Sequence, residues 1–550
     1  MSSVAPTERV GQCIGTYYLF QQIGRILGPV FGLSLIQQVF KDSLWKSLGS
    51  VPEKQQLIQS ILDNARFAIM LPKLTQEVVR SSYLTGFQFV PQDLYSQDGD
   101  ASNLVLVFAC PTPHSQGTES DPLSKKFTYQ SPLAPSTNKD AVARRRLHNI
   151  PLKYAFMAGK LPLVLLDLKP YEHCHNQGRL SPHHLDTFEV LGQLHPSQRP
   201  NVTFVRRFED IRLHPGSKIV VLNPLDRVAH LPHLVDPEVH YELLSKRGLA
   251  YSGLPTPKTF VIDTVLGSKG DNSTEILNCP TKLSEEVECM IHLLRQRELP
   301  YIVKVPQSVG GLGTLIVRTE SDRQMAETVL RAELLNMLQD VNPFNRHMYP
   351  CSLVVQEFVP GDTVGVSLFV TQQGRAIFIG CSTQNLDSSG RWAGGLMSYP
   401  DQPRLEKEYA DVIRQIATYL HSKGYYGPVG ADIMKDPATG RHLVIDLNVR
   451  VTGSYALGCL KNHFGKRGLS QGYICQFGVH CSRQMYLEHF RKEVEEGSLV
   501  LASWTPHLPD GSSLAVICIA APDLLHLKQF VSRVEAFVLL VKPDGNVSSN

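Results

Sequence analysis

The chain has 550 residues, with 54 Lys plus Arg against 51 Asp plus Glu and a formal net charge of +3. That near-balance excludes a dedicated nucleic-acid binder, which carries a basic surplus, and 42% hydrophobic residues exclude wholesale disorder. The length allows three or four domains, each large enough to bury a core.

Residues 1–60 read as an N-terminal helical extension. The stretch 13–40 is apolar, but Gln21, Gln22, Arg25, Gln37 and Gln38 interrupt it and Pro29 kinks a helix. It lacks the basic start and cleavage site of a signal peptide, so no membrane span and no firm membrane association is expected. An amphipathic helix pair on the body is the plain reading; an interfacial anchor or partner helix is the alternative.

Residues 61–235 read as an α/β domain. The short apolar runs 104–110, 161–166 and 218–222 are expected as buried parallel strands. Between the first two, 111–140 is rich in Ser, Pro, Thr and Lys and reads as a flexible insertion. No glycine fingerprint follows any of these strands, so a dinucleotide cofactor is not expected. His173, Cys174, His175, His183 and His184 cluster in a polar segment. Their spacing matches no zinc pattern and predicts a solvated loop.

From 236 to 465 the texture becomes more regular. A helix over 238–248 is expected to stop at Gly248, followed by a loop entering a strand near 261 and a polar insertion at 267–282. Strands at 301–305 and 314–318 flank a glycine-rich turn. Ser321 and Gln324 form a candidate capping box for the next helix. Strand-like runs follow at 353–358, 364–371, 376–383, 430–434 and 442–449, with a helix at 405–422 and a loop at 386–399. Residues 466–550 read as a small α+β extension: helix 485–496, strand 513–521 and helix 523–537. Eleven scattered cysteines without a C-x-x-C pair point to free thiols in a reducing, cytoplasmic setting.

Three segments carry chemistry. Lys304 ends an apolar strand, and its ammonium needs an anion or the surface. Gln307-Ser-Val-Gly-Gly-Leu-Gly313 follows directly, and its glycines let backbone N–H groups approach a polyphosphate. Taken alone, this is equally a hairpin turn. Next, Gln356-Glu-Phe-Val-Pro-Gly-Asp362 ends a strand whose backbone can pair with an adenine edge; an ordinary strand end is the alternative. Finally, Gly430-Ala-Asp-Ile-Met434 is followed by Ile445-Asp-Leu-Asn-Val-Arg450. Alternation puts Asp446, Asn448 and Arg450 on one face, with Asp432 on the neighbouring strand. Two carboxylates and an amide oxygen suit Mg²⁺; a salt-bridged sheet face is the alternative.

In this order the three segments resemble the ATP-grasp superfamily of ligases, over about 236–465. The resemblance implies two ATP-grasp subdomains, near 236–345 and 346–465, behind a Rossmann-like pre-ATP-grasp domain. It is strongest toward stand-alone peptide-ligase-like members and fungal relatives in specialised metabolism. It implies ATP and Mg²⁺ (or Mn²⁺) as cofactors. Lys304 would contact the α and β phosphates, and Ser308, Gly310, Gly311 and Gly313 would belong to the flap over them. Glu357 and Val359 would form the adenine hinge, and Asp362 would meet the ribose. Asp432, Asp446 and Asn448 would hold the metal, and Arg450 would stabilise the acyl phosphate and tetrahedral intermediate. Arg391, Thr452 and Ser454 are candidate substrate contacts, with Gly394 and Gly395 in a loop closing over substrate.

Three features depart from the pattern. Asp446 stands where glutamate is commoner. Gly430 stands where D-Ala–D-Ala-type ligases carry arginine. The first basic ATP contact, normally near 236–238, is missing there; Lys246 and Arg227 are the candidates to replace it. The implied activity is ATP-dependent joining of a small carboxylate to an amine, with a homodimer compatible with the family. A small-molecule kinase and a non-catalytic ATP-binding scaffold are the rival readings.

Overall fold

Three sheets hold the strands of the computed structural model. It describes residues 41, 45, 54–63, 72, 91–109, 125–130, 150–166, 182–194, 198–266, 279–308, 313–386, 392–506 and 511–541. The chain divides into two units, 1–88 and 89–550. In the first, helix α1 (Lys54–Asp63) buries Ile58 and Ile61. The expected helix pair at 13–40, and His173, Cys174 and His175, lie outside the described residues.

The second unit opens with helix α2 (Pro91–Ser96) and a parallel sheet. Its strands are β1 (Leu104–Phe108), β2 (Pro162–Leu166), β3 (Asn201–Val205) and β4 (Lys218–Val221), in the order β3-β2-β1-β4. Strands β1, β2 and β4 are the expected apolar runs. The edge strand β3 is half exposed, and five residues of Asn-Val-Thr-Phe-Val are too weak a signal to read. Helix α3 (Pro182–Gly192) corrects the solvated histidine loop: His184 is buried and stacks on Phe204 at 3.8 Å. The insertion at 111–140 is also not free throughout. Phe127 and Tyr129 bury their rings against Tyr241, and Asp226 accepts from the Lys126 and Phe127 amides.

Helices α4 (Pro237–Leu244) and α5 (Lys246–Ala250) replace the single helix expected at 238–248. Ser245 is extended and its hydroxyl caps α5, so the break precedes Gly248. Gly248 is needed for close packing, since a Cβ there lies 2.2 Å from the Glu242 carbonyl.

An antiparallel sheet follows: β5 (Thr259–Asp263), β6 (Tyr301–Lys304), β7 (Thr314–Val317) and β8 (Ser352–Glu357), ordered β5-β8-β6-β7. Helices α6 (Pro280–Arg295) and α7 (Glu320–Gln339) cover it, burying Met290, Leu294, Leu330 and Leu334 against Val303, Leu353 and Val355. The capping box of α7 is Thr319 with Asp322, two residues before the expected pair.

The third sheet has eight strands: β9 (Thr363–Val370), β10 (Ala376–Leu386), β11 (Trp392–Ser398), β12 (Gly427–Lys435), β13 (His442–Asn448), β14 (Gln471–Val479), β15 (Leu499–Thr505) and β16 (Ser513–Ala521). They are ordered β13-β12-β9-β10-β11-β14-β16-β15 and pair antiparallel. The loop expected at 386–399 is therefore largely strand β11. Residues after 466 contribute three strands to this same sheet. Helices α8 (Gln402–Glu408) and α9 (Ala410–Ser422), separated at Tyr409, stand where one helix was expected. Helices α10 (Tyr455–Cys459), α11 (Lys461–Gly465), α12 (Arg483–His489), α13 (Arg491–Glu495) and α14 (Leu524–Leu540) complete the described fold.

One apolar core joins the parallel and eight-stranded sheets: Leu104, Leu106 and Phe108 of β1 meet Phe369, Met397 and Ile474. Among the described residues no helix is long and apolar enough to cross a membrane.

Candidate active site

The centre of the site is a β-bulge. Across β12 and β13, Asp432 pairs with Asp446 and Ile433 with Val444, so Ile445 is one residue too many. Val429, Ala431, Ile433, Val444, Leu447 and Val449 enter the core under α9. The opposite face is left to Gly430, Asp432, Asp446 and Asn448. The carbonyl of the bulged Ile445 accepts a bond from Lys304 Nζ at 2.5 Å. One irregular residue thus ties the strand end of the second sheet to the carboxylate pair of the third.

The electrostatics favour a bound cation. Burial first, then the charge of Asp446, push Asp432 up to about 7. Gln384 Nε2, on β10, donates to Asp432 Oδ1 at 2.6 Å. Burial also raises Asp446, but Lys246 and then Lys304 outweigh it and hold that carboxyl below its ordinary value. Burial, partly opposed by Asp446, brings Lys304 down to about 8. Two adjoining carboxylates that resist simultaneous ionisation, with an amide oxygen on the same strand, fit a hard divalent ion.

Lys246, one of the two candidates for the basic residue absent at 236–238, lies at the carboxylate pair. Its Nζ lies 3.4 Å from Asp446 Oδ1, and its amide donates to the Pro306 carbonyl at 2.9 Å beside the glycine-rich turn. The Ser245 cap that starts α5 is the local signal placing it there. Arg227, the other candidate, instead lies 5.8 Å over the Phe208 ring in the α/β region. Gln384 carries no sequence signal, because it comes from a strand whose partner β11 reads as a loop.

The strands β6 and β7 that flank the glycine-rich segment pair antiparallel, with Lys304 opposite Thr314. Gly313 lies against the base of that segment: a Cβ there meets Ser308 Cβ at 2.4 Å and Val305 Cγ2 at 2.3 Å. Ser308 Oγ is buried with no hydrogen-bond partner among the described residues, an orphaned donor at the place where a phosphate oxygen is expected. Gly310, Gly311 and Arg391 lie outside the described residues. Val359 forms a small apolar cluster with Met434 and Leu443, flanked by Ile445, whose carbonyl takes the Lys304 bond. Glu357 ends β8; its amide bonds the Lys258 carbonyl and its carboxylate accepts from the Lys258 amide. Asp362 is exposed just before β9.

Arg450 lies past the end of β13, where Nη2 donates to Asn448 Oδ1 at 3.3 Å and Nη1 to Tyr154 Oη at 3.2 Å. It borders a pocket between the parallel sheet and strands β9 and β12, walled by Phe108, Met157, Val221, Tyr425 and Tyr455. Thr452 is the reason for glycine at 430: a Cβ there lies 2.2 Å from Thr452 Cγ2. Ser454 is buried against Gly395, which belongs to β11 with Gly394 and not to a closing loop.

Residues 280–448 match the model of a family described as L-aspartate--L-methionine ligase, ATP grasp. No curated protein matches the chain. Among solved structures, N5-carboxyaminoimidazole ribonucleotide synthetase from Thermus thermophilus is similar at 13% identity, with a TM-score of 0.40 over 72% of this chain and 96% of that one. Phosphoribosylamine–glycine ligase from Thermotoga maritima is similar at 12% identity, with a TM-score of 0.40 over 79% and 96%. Biotin carboxylase from Campylobacter jejuni, complexed with β,γ-ATP, shares 11% identity, with a TM-score of 0.36 over 59% and 69%. The matched segment runs from helix α6, over the second sheet, to Asn448 at the end of β13, and this part of the chain is similar to the ATP-grasp ligase family.

Proposed function

We propose that this chain is an ADP-forming carboxylate–amine ligase acting on small metabolites, with amino acids as the first candidates. The matched family is described as a ligase of two amino acids, and this supports that class of substrate. The observation that carries the reading is the convergence of Lys246 and Lys304 on Asp446, beside Asp432 and Asn448, in front of Arg450.

The residues suit the two half-reactions. A substrate carboxylate attacks the γ-phosphate of ATP and leaves ADP and an acyl phosphate. Lys246 and Lys304 offset the polyphosphate charge, with Ser308 beside it. Asp432, Asp446 and Asn448 would hold Mg²⁺, which when bound supplies charge neutralisation at the phosphates. Val359, Met434 and Leu443 offer an apolar seat for the base. An amine then attacks the acyl carbon, the acyl C–O bond breaks, phosphate leaves with the amine's proton and the amide remains, while Arg450 faces the developing oxyanion. Asn448 fixes the Arg450 guanidinium, so its charge is oriented before the substrate arrives. The scaffold reading draws on the missing basic residue, and Lys246 weakens it.

The test is ADP release with Mg·ATP against pools of amino acids, small peptides and aromatic acids. Asp446→Ala with Asn448→Ala is the control. Pool-dependent ADP release lost in the double variant, with an amide product by mass spectrometry, is the expected result. A phosphorylated hydroxyl product means a kinase. Tight Mg·ATP binding without turnover on any pool returns the scaffold reading.

A further inference from the structure

The helical segment 150–155 of the α/β region brings a lysine to the eight-stranded sheet at the far side of Arg450. Lys153 Nζ lies 4.0 Å from the ring centroid of Trp392, the first residue of β11. Its neighbour Tyr154 accepts the Arg450 bond. Among the described residues neither Lys153 nor Arg450 has a carboxylate partner. Arg450 donates only to neutral oxygens, those of Tyr154, Val451 and Asn448. Lys153 has the ring face, the repulsion of Arg450 and a weaker influence from the Cys518 thiol.

Two neighbouring cations without an acid between them are unfavourable in an empty protein. Burial, and after it the charge of Arg450, brings Lys153 down to about 7. The loop beneath them is shaped to allow this. A Cβ on Gly453 meets Trp392 Cη2 at 2.8 Å and Lys153 Nζ at 3.0 Å. The hydroxyl residues Thr452 and Ser454 flank that glycine. Both Lys153 and Trp392 keep partial solvent exposure, so the place is reachable.

We infer that Lys153, over Gly453 and beside the Trp392 ring, forms a cationic seat for a substrate carboxylate that is not the one being activated, next to the Arg450 guanidinium that faces the reacting carbon. The inference deepens the ligase reading and rests on it for the word substrate. It narrows the acid or the amine to a molecule carrying an additional carboxylate, held by the α/β region while the acyl group lies at the phosphates. Lys153 is then a specificity residue, and a neutral side chain in its place selects against such molecules. Activation of one carboxylate and retention of another also demands that they differ in position, so Lys153 sets which end of the substrate faces ATP.

The experiment reads Trp392 fluorescence in the full chain during titration with succinate. The neutral isostere succinamide and sodium chloride of matched ionic strength are the comparisons, and Trp392→Phe supplies the background. A saturable change with succinate alone is expected. Lys153→Met weakens it by about tenfold or more, because a charge-assisted bond is lost. Lys153→Arg keeps it within about threefold. Gly453→Ala, which crowds the seat without removing charge, weakens it as well and covers the case in which Lys153→Met fails to fold. Equal responses to succinate and succinamide, or a Lys153→Met protein that responds like the wild type, overturn the inference. ADP release is read separately. Turnover with an unaltered acid and amine KM in Lys153→Met sinks the seat and leaves the ligase. Succinate binding in a chain that never releases ADP sinks the ligase and leaves an anion seat.

Discussion

Lys246 Nζ stands 3.4 Å from Asp446 Oδ1, and Lys304 bonds the carbonyl of the residue immediately before that aspartate. One lysine comes from a helix start and the other from a strand end, yet both meet at the bulge of β13. Removing Lys246 has two consequences. Under the proposed function a phosphate contact disappears, and Asp446 loses the strongest influence holding its carboxyl down. Lys246→Met is expected to weaken Mg·ATP by about tenfold to a hundredfold, as for a charge-assisted contact. Calorimetric titration of Mg·ATP measures it. Wild-type affinity in this variant removes Lys246 from the nucleotide site.

Asp432 and Asp446 oppose each other on adjacent strands, and Asp432, pushed up to about 7, is about half protonated at neutral pH. A divalent ion must displace that proton. Apparent Mg²⁺ affinity therefore falls as pH drops below about 7, by up to about tenfold per pH unit. Titrations between pH 6 and pH 8 give the slope, and a flat profile contradicts the pairing. Asp432→Asn keeps an oxygen for Gln384 to donate to and removes the like charge. Without metal it should melt about 1–3 °C higher while Mg²⁺ binding is lost.

The carboxylate pair and Lys304 are legible in the sequence because strand alternation is a strong, local signal. The polar set Asp446 and Asn448 alternates with Leu447 and Val449, which do enter the core. Alternation cannot reveal the bulge: Ile445 looks like one more apolar strand residue, and only pairing with β12 shows that it is supernumerary. Lys246 is visible only as a candidate, since its place depends on where α5 begins relative to Pro306 across the fold. Strand β11 is unreadable for a different reason. Trp-Ala-Gly-Gly-Leu-Met-Ser carries two glycines, which in sequence are a loop signal. A Cβ on Gly394 strikes the Ile474 carbonyl at 2.4 Å, so at this position glycine serves strand-to-strand approach.

Gly430 and Thr452 form a packed pair under the metal strand. Gly430→Ala puts a methyl 2.2 Å from Thr452 Cγ2 and 3.1 Å from its Cβ. Overpacking of this kind costs about 1–3 kcal/mol. Thr452→Ala removes the nearer atom and should return about 1 kcal/mol of that in the double variant. Denaturant unfolding of the four proteins in the cycle measures the coupling. Strictly additive effects mean that the clash is relieved elsewhere. If Thr452 also contacts substrate, the double variant recovers stability without recovering turnover.

Gln130 and Gln307 connect the buried strap at 125–130 to the start of the glycine-rich segment. Gln307 donates its amide to Gln130 Oε1 at 2.7 Å and its side chain to the Tyr241 carbonyl at 2.6 Å. The Gln130 amide returns a bond to the Gln307 carbonyl at 3.1 Å. Gln130→Met fills the same volume and removes the acceptor, leaving a buried N–H unsatisfied at a cost of about 1–3 kcal/mol. The bonds from Gln130 N and Gln307 Nε2 remain, so the strap should stay in place while the residue before Ser308 loosens. Mg·ATP affinity is expected to fall by about threefold to tenfold, because positioning of the glycine-rich segment is part of the binding energy. A variant that loses stability and keeps its affinity shows that the strap supports the fold alone. One that loses both ties residues far outside the matched ATP-grasp segment to the nucleotide site.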